Sequence, residues 1–422
     1  MSNARYVAAL SLYKVTNEAA YSNLVLNSML EEHGLSLEDK ALCTAIFYGT
    51  LDRMVTVDFY IKKLIKTPLK KIKPFTLAVL RTAVYQIKYL SKIPNSAAVD
   101  EAVKIIKKSK ESFNASFVNA VLRNLIRTDI SLPNGNSIYD ISVAYSCPEW
   151  IVSALIKDYG TEFTKQFLNN ALMPPPIFIR VNTLKTNANE LTETLKKQNV
   201  TAFMTDFNNT LVLESGGSVE DIKAYKDGLF FVQDISCQMA VGMLDIKENS
   251  RLLDLCAAPG GKSFSAAMYA TMGEIISCDL YSQRVNLIKS GAERLSVKNI
   301  KTAVADATVK DNTLGLFDRI ICDVPCSGLG VIRRKPDIKY KPKNSFEELA
   351  EIQRNILENA AGYLKSGGKL LYSTCTLNKA ENKENVDAFL EKHTDFTLEK
   401  EETFSFLTNN SDGFYAAVLV KK

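Results

Sequence analysis

Leu252-Leu253-Asp254-Leu255-Cys256-Ala257-Ala258-Pro259-Gly260-Gly261-Lys262-Ser263 reads as a short apolar strand that runs into a glycine-rich turn and then a helix. Glycine lets the backbone approach a ligand closely, and a helix N-terminus favours negative charge. Single residues exclude two nucleotide-binding patterns. The loop G-x-x-x-x-G-K-[ST] matches at Gly261-Lys262-Ser263, but its first glycine would fall at Cys256; G-x-G-x-x-G is absent altogether. What remains is a nucleotide-like site of another kind, or a purely structural tight turn.

Working outward from this stretch, strand and helix alternate through the C-terminal half. The expected strands are Leu252–Cys256, Glu274–Leu280, Lys301–Ala305, Arg319–Asp323, Lys369–Ser373 and Tyr415–Val420. Helices lie between them. In one, Glu351–Leu364, the residues Ile352, Ile356, Leu357, Ala360 and Leu364 share a face. This alternation predicts an α/β domain over residues 235–422, a doubly wound parallel sheet of Rossmann-like type. Ligands of such sheets bind at the carboxyl ends of the strands. Asp279 ends the second strand, 25 residues after Asp254, where a carboxylate suits ribose hydroxyls. Asp306 ends the third, and either faces an adenine or caps a helix. The fourth ends in Asp323-Val324-Pro325-Cys326-Ser327-Gly328 and the next in Tyr372-Ser373-Thr374-Cys375-Thr376.

Upstream, residues 1 to about 130 have apolar positions at helical spacing, as in Val99, Ala102, Val103 and Ile106, with breaks at His33-Gly34, Thr67-Pro68 and Ile93-Pro94. A helical bundle is the expected solution. Residues 1–127 hold 19 Lys+Arg against 10 Asp+Glu, and the remainder 33 against 37. A basic front on a slightly acidic body suits a polyanion partner. The turn Leu132-Pro133-Asn134-Gly135-Asn136 marks a boundary. Two helices across about 148–172 follow, stopped by Pro174-Pro175-Pro176, and then strands at Ile177–Asn182, Leu211–Leu213 and Leu229–Val232 with a helix at about 187–198. Residues 140–234 therefore read as a small α+β domain.

At 422 residues the chain is too long for one ordinary domain. It has no run of about 18 apolar residues to span a membrane. Its start, Met1-Ser2-Asn3-Ala4-Arg5, does not read as a signal peptide, so a cytoplasmic protein with no membrane partner is expected. The eight cysteines form no C-x-x-C pair and there are two histidines, so no metal site is expected. Cys43, Cys147, Cys237, Cys256, Cys278 and Cys322 read as small buried hydrophobes. Cys326 and Cys375 differ, because both lie just past strand ends among small polar residues.

Such a pair answers a specific chemical difficulty. Carbon 5 of cytosine is too weakly nucleophilic to accept a methyl group from a sulfonium unaided. A thiolate adding to carbon 6 makes carbon 5 enamine-like, which divides one hard step into easier ones. A carboxyl group facing ring nitrogen 3 would stabilise the adduct, and a second thiol could assist elimination.

The glycine loop, Asp323-Val324-Pro325-Cys326 and Ser373-Thr374-Cys375 together resemble the RNA cytosine-C5 methyltransferases. The DNA enzymes have the Pro-Cys motif without the Thr-Cys one, so DNA is not the expected partner. The likeness is greatest to the bacterial enzymes of small-subunit (16S) ribosomal RNA and extends over nearly the whole chain. It includes Asn119-Ala120-Val121-Leu122-Arg123 in a front domain similar to the antitermination factor NusB, Ile179-Arg180-Val181-Asn182-Thr183, and Asp412-Gly413-Phe414. The resemblance implies Cys375 as the nucleophile, Cys326 as the residue that helps release product, and Asp323 at the base, with Lys262 reaching toward it. It also implies that Cys256, Ala257, Ala258, Pro259, Gly260, Gly261 and Lys262, with Asp279, Arg284, Asp306 and Asp323, hold S-adenosyl-L-methionine. Ser263 and Val324 stand where the family commonly has Thr and Ala. The basic stretch Arg333-Arg334-Lys335 is expected to meet an RNA backbone, a flipped or unpaired base is implied, and the protein is expected to act as a monomer.

Overall fold

The computed structural model describes residues 3–18, 22–214 and 217–422; Met1 and Ser2, part of the N-terminal reading, lie outside them. The chain forms two compact units, one of Met1–Met173 with Ile332–Lys341, the other of Pro174–Val331 with Pro342–Lys422.

The first unit is helical. Its long helices include Ala4–Glu18, Leu37–Asp52, Pro74–Tyr89, Asn95–Lys107 and Ala115–Arg127. Val79, Leu80, Val99, Ala102, Ile106, Val118 and Leu122 meet in its core, so the helical spacing read from 99 to 106 marks a buried face. Pro74 occupies the first turn of its helix, where a missing N–H costs nothing. After the polar turn at 132–136, Ser137 and Asp140 form a capping box that starts the helix Ile138–Ala144. The run Glu149–Ala171 is two helices meeting at Gly160, whose φ of +81° no helix allows.

The segment 332–341 is built into this unit by its polar groups. Lys339 is almost fully buried, and its Nζ donates to Asp52 Oδ1 at 2.9 Å, Asp52 O at 2.7 Å and Ser146 O at 3.1 Å. Arg333 donates to Met173 O at 3.1 Å and Asn170 Oδ1 at 2.9 Å. At least two of the five N–H donors of Arg333 are thus used within the protein.

The second unit holds two sheets. Strands β1 (Ile177–Val181), β2 (Ala202–Met204), β3 (Thr210–Leu213) and β4 (Phe230–Val232) make an antiparallel sheet of order β2-β3-β1-β4. Its Ile179, Val181, Leu211 and Phe230 pack on Leu191 and Leu195 of the helix Ala188–Lys197. The family-like stretch in β1 proves to be a structural tie. Asn182 Nδ2 donates to Gly228 O and Leu295 O, both at 2.8 Å, and Arg180 donates to Asn208 O at 2.9 Å.

The larger sheet contains β5 (Leu252–Asp254), β6 (Ile275–Asp279), β7 (Ile300–Val304), β8 (Phe317–Asp323), β9 (Leu364–Thr374), β10 (Phe396–Phe404) and β11 (Phe414–Lys421), in the order β10-β11-β9-β8-β5-β6-β7. Alternate residues of the central strands enter different cores. Leu253, Ile320, Cys322, Leu370 and Tyr372 join one, while Leu252, Ile321 and Leu371 join the other. Burial on both faces explains why these strands read as unbroken apolar runs.

Two expectations are corrected. The sheet is mixed rather than wholly parallel, because β11 pairs antiparallel with both β9 and β10. Only Phe396 and Phe404 of β10 are buried; an edge strand written Phe-Thr-Leu-Glu-Lys-Glu-Glu-Thr-Phe carries no alternation to betray it. The helix expected to run to Leu364 spans Glu347–Ala361, and Leu364 instead opens β9. Ile356, Leu357 and Ala360 are buried as read, whereas Ile352 is exposed.

Candidate active site

The parallel register places the ends of β6, β5, β8 and β9 side by side, since β5 pairs with β6 and β8, and β8 with β9. The chosen residues from these strands therefore line one edge of one sheet.

The glycine loop is fixed from below. Leu255 N–H donates to Ile321 O at 3.1 Å, Ala257 N–H to Cys278 O at 2.8 Å, and Ala258 N–H to Asp279 Oδ2 at 3.2 Å. Gly260 has φ +108°, and a Cβ there would meet the Phe264 ring at 2.3 Å. Both conformation and space thus demand glycine. Arg284 clamps the loop from the side, 3.3 Å from Asp279 Oδ1 and donating to Ala258 O at 3.1 Å. Cys256 thus sits in a held turn, and burial pushes its thiol above the ordinary range.

Beneath the loop, Asp254 is fully buried and accepts from Ser263 Oγ at 2.6 Å, which in turn accepts from Ser277 Oγ at 2.8 Å. A hydroxyl is what this position uses, so serine serves in place of threonine. Burial, reinforced by the Asp323 charge, outweighs the Ser263 hydrogen bond and pushes the Asp254 carboxyl from 3.8 up to about 7. A raised carboxyl binds its proton more tightly when folded. Its stabilising contribution is complete below pH 3.8 and is lost as the pH rises through 7. Asp254→Asn, which does not titrate, is expected to gain on wild type by about 3 kcal/mol between pH 5 and 8. Urea unfolding at the two pH values checks this, and a difference that does not change with pH would refute it.

Lys262 projects from the helix Gly261–Ala267 and is nearly buried. Its Nζ lies 2.7 Å from Asp323 Oδ2, 3.6 Å from Cys237 Sγ and 5.0 Å from the centre of the Phe414 ring. Burial alone disfavours its charge, but the Asp323 carboxylate and the Cys237 sulfur overcome that and hold the ammonium above its ordinary value. Asp323 Oδ1 accepts from Ser373 Oγ at 2.9 Å, so both carboxylate oxygens are engaged from within the protein.

Cys326 and Cys375 come together from two loops, their Sγ atoms 3.2 Å apart with no bond between them. The contact with Cys375 and burial both raise the Cys326 thiol well above its ordinary value.

Asp306 stands apart. Its exposed carboxylate accepts from Thr308 N–H at 2.9 Å and Thr308 Oγ1 at 2.7 Å, which holds it below the usual carboxylate range. Its local bonds are those of a turn cap.

Two contributors escaped the sequence reading. Cys237, read as a core residue, does pack against the core and also touches Lys262. Gln233, ahead of the helix Ile235–Gly242, accepts from Ser265 Oγ at 2.7 Å, and its buried Nε2 has no partner among the described residues. A Cβ on Gly261 would lie 3.4 Å from that Nε2. An unused buried donor beside a loop bare of side chains, with the Asp279 carboxylate at the next strand end, fits a nucleoside carrying polar appendages.

The model of the family described as 16S rRNA methyltransferase RsmB/F matches residues 241–420. The NusB family matches 2–127, and the ferredoxin-like domain of RsmF/B-like methyltransferases matches 147–220. The chain is 38% identical over 404 residues to a probable ribosomal RNA small subunit methyltransferase B of Bacillus subtilis (strain 168), covering 94% of this chain and 90% of that one. Its fold is similar to the crystal structure of PH0851, with TM-score 0.83 and 24% identity over 100% and 99% of the two chains. It is also similar to NSun6 from Pyrococcus horikoshii with SFG, with TM-score 0.60 and 22% identity over 65% and 98%.

Proposed function

Because the chain belongs to the 16S rRNA methyltransferase family RsmB/F, we propose that it forms 5-methylcytosine in 16S ribosomal RNA, with S-adenosyl-L-methionine as methyl donor and a covalent bond between Cys375 and ring carbon 6 as the intermediate. The observation that carries this reading is the 3.2 Å approach of the Cys326 and Cys375 sulfurs, on the strand ends next to the Lys262–Asp323 pair.

The proposed division of labour follows from those contacts. Cys375 adds to carbon 6 as the thiolate, and the ring π electrons move onto carbon 5, which becomes the nucleophile. When bound, the cofactor supplies an electrophilic methyl group on a sulfonium. Ring nitrogen 3 takes up the proton that Cys375 gave up, and Asp323, fixed by Lys262 and Ser373, accepts a hydrogen bond from it and so stabilises the adduct. Cys326, after giving its own proton to solvent, takes the carbon 5 proton; the C5–C6 double bond returns, the C–S bond breaks, and the departing Cys375 sulfur recovers the proton from ring nitrogen 3. A high proton affinity at Cys326 suits that task.

Cys256 to Lys262, Gln233, Asp279 and Arg284 would hold the cofactor, with Asp306 and Asp323 at its margins. The basic helical domain (1–130) and the small α+β domain (140–234) would carry the RNA, and a base freed from its stack would reach the two thiols. Sequencing for 5-methylcytosine in RNA from a deletion strain tests the substrate. One cytosine of 16S rRNA should lose its mark. Loss confined to transfer RNA, or no loss, would overturn the assignment.

A further inference from the structure

Behind the two thiols lies a buried polar cluster that the mechanism above does not use. Glu381 is 1% exposed, yet it carries a carboxylate. Its Oε2 accepts from Ser327 N–H at 2.8 Å and from Gln353 Nε2 at 2.9 Å, and its Oε1 accepts from Asn378 Nδ2 at 3.0 Å. Gln353 Nε2 also donates to Pro325 O at 2.9 Å, and Gln353 Oε1 accepts from Asn385 Nδ2 at 2.9 Å. The peptide groups on both sides of Cys326 are therefore held, the carbonyl before it by Gln353 and the amide after it by Glu381.

The same carboxylate is tied to the other loop. Glu381 follows Cys375 by six residues in the sequence, and its own carbonyl accepts from Tyr372 Oη at 2.6 Å, just before the end of β9. Ser327 Oγ and Thr376 Oγ1, each the neighbour of a cysteine, are 2.8 Å apart. Gly330 N–H donates to Cys375 O at 3.0 Å. A buried carboxylate is costly unless its hydrogen-bonding capacity is met. Here three protein donors meet it, two of them from the loop and helix that flank Cys326. An apolar residue in this place would pack without tying the two loops together.

We propose that Glu381, acting with Gln353, is a positioning residue that sets the Cys326 thiol against Cys375 and thereby governs release of methylated RNA. This rests on the proposed roles of the two cysteines. It assigns Glu381 no contact with the RNA or the cofactor. Its effect passes through the Cys326 backbone, and displacements of about 1 Å at such a group cost on the order of 10²-fold in rate.

The test compares Glu381→Ala, Glu381→Gln, Cys326→Ala and the double variant Cys326→Ala/Glu381→Ala in the full-length protein with 16S rRNA. Circular-dichroism melts fix the folded fraction of each. The readout is the fraction of RNA that stays covalently attached on a denaturing gel, together with the turnover rate and the KM for S-adenosylmethionine. Glu381→Ala should accumulate adduct and lose roughly 10- to 100-fold in kcat at unchanged KM for the cofactor. Glu381→Gln, which keeps an acceptor toward Ser327, should restore most of the loss. In the Cys326→Ala background the Glu381 change should add nothing to the release defect. An additive loss, or a folded Glu381→Ala protein that accumulates no adduct while Cys326→Ala does, would overturn the proposal. If Cys326→Ala itself traps no adduct, the role of Cys326 has failed first, and the two failures are distinguishable.

Discussion

A Cys375→Ala protein should methylate RNA at least roughly 10³-fold more slowly than wild type while binding S-adenosylmethionine with unchanged affinity. The split is expected because the two functions use different parts of one sheet edge. The glycine loop follows β5 and is fixed by β8 through Leu255 and by β6 through Ala257 and Ala258. Cys375 follows β9, on the far side of β8 from that loop. Removing one sulfur from the β9 end breaks none of the bonds that shape the loop. Without covalent activation, carbon 5 lacks the electron density to take a methyl group. Binding calorimetry and a methyl-incorporation assay on one preparation check both halves. Near-wild-type methylation would remove Cys375 as the nucleophile, and lost cofactor binding would show that the loop is not independent of β9.

The second large effect is of a different kind. Cys326→Ala should leave adduct formation intact and block release, so that RNA and protein stay joined through denaturation while multiple turnover falls by roughly 10²-fold or more. Cys326 and Cys375 sit on separate loops that are also joined through Ser327 and Thr376, so losing one thiol leaves the other loop held and its sulfur's approach to the ring open. The release step loses the group that receives the carbon 5 proton. A gel in which Cys326→Ala turns over normally, with no slow-migrating band, would contradict this role. If the band appeared with Cys375→Ala instead, the two assignments would be exchanged.

What the sequence disclosed follows from how each feature is encoded. β5, β8 and β9 are buried on both faces and wrote themselves as apolar runs. The helix through Ile356, Leu357 and Ala360 is buried on one face and wrote itself as a periodicity. β10 met neither condition, because its exposed glutamates and lysine look like a loop or a helix surface. The antiparallel return of β11 was hidden for a related reason: an apolar strand reads the same in either direction, and only the pairing with β9 sets its sense.

At the site, local signals were legible and long-range ones were not. Gly260 was readable because its turn is built from neighbours. The meeting of Cys326 with Cys375 joins positions 49 residues apart and is set by the register of β8 on β9. Until that pairing is known, chemistry and family likeness are the only guides to it. Cys237 looked like core because it lies in an apolar helix, and nothing in its neighbourhood announces Lys262. Glu381, in Lys379-Ala380-Glu381-Asn382, looks like an ordinary surface charge, and only its burial reveals a structural carboxylate.

The most direct test of the account is mass spectrometry of the Cys326→Ala protein after incubation with RNA and cofactor, denaturation and digestion with protease and nuclease. The peptide containing Cys375 should carry the mass of a methylated cytidine nucleotide, and fragmentation should place the link on its sulfur. A nucleotide found on any other cysteine, or none on the Cys375 peptide while methylation proceeds, would contradict it.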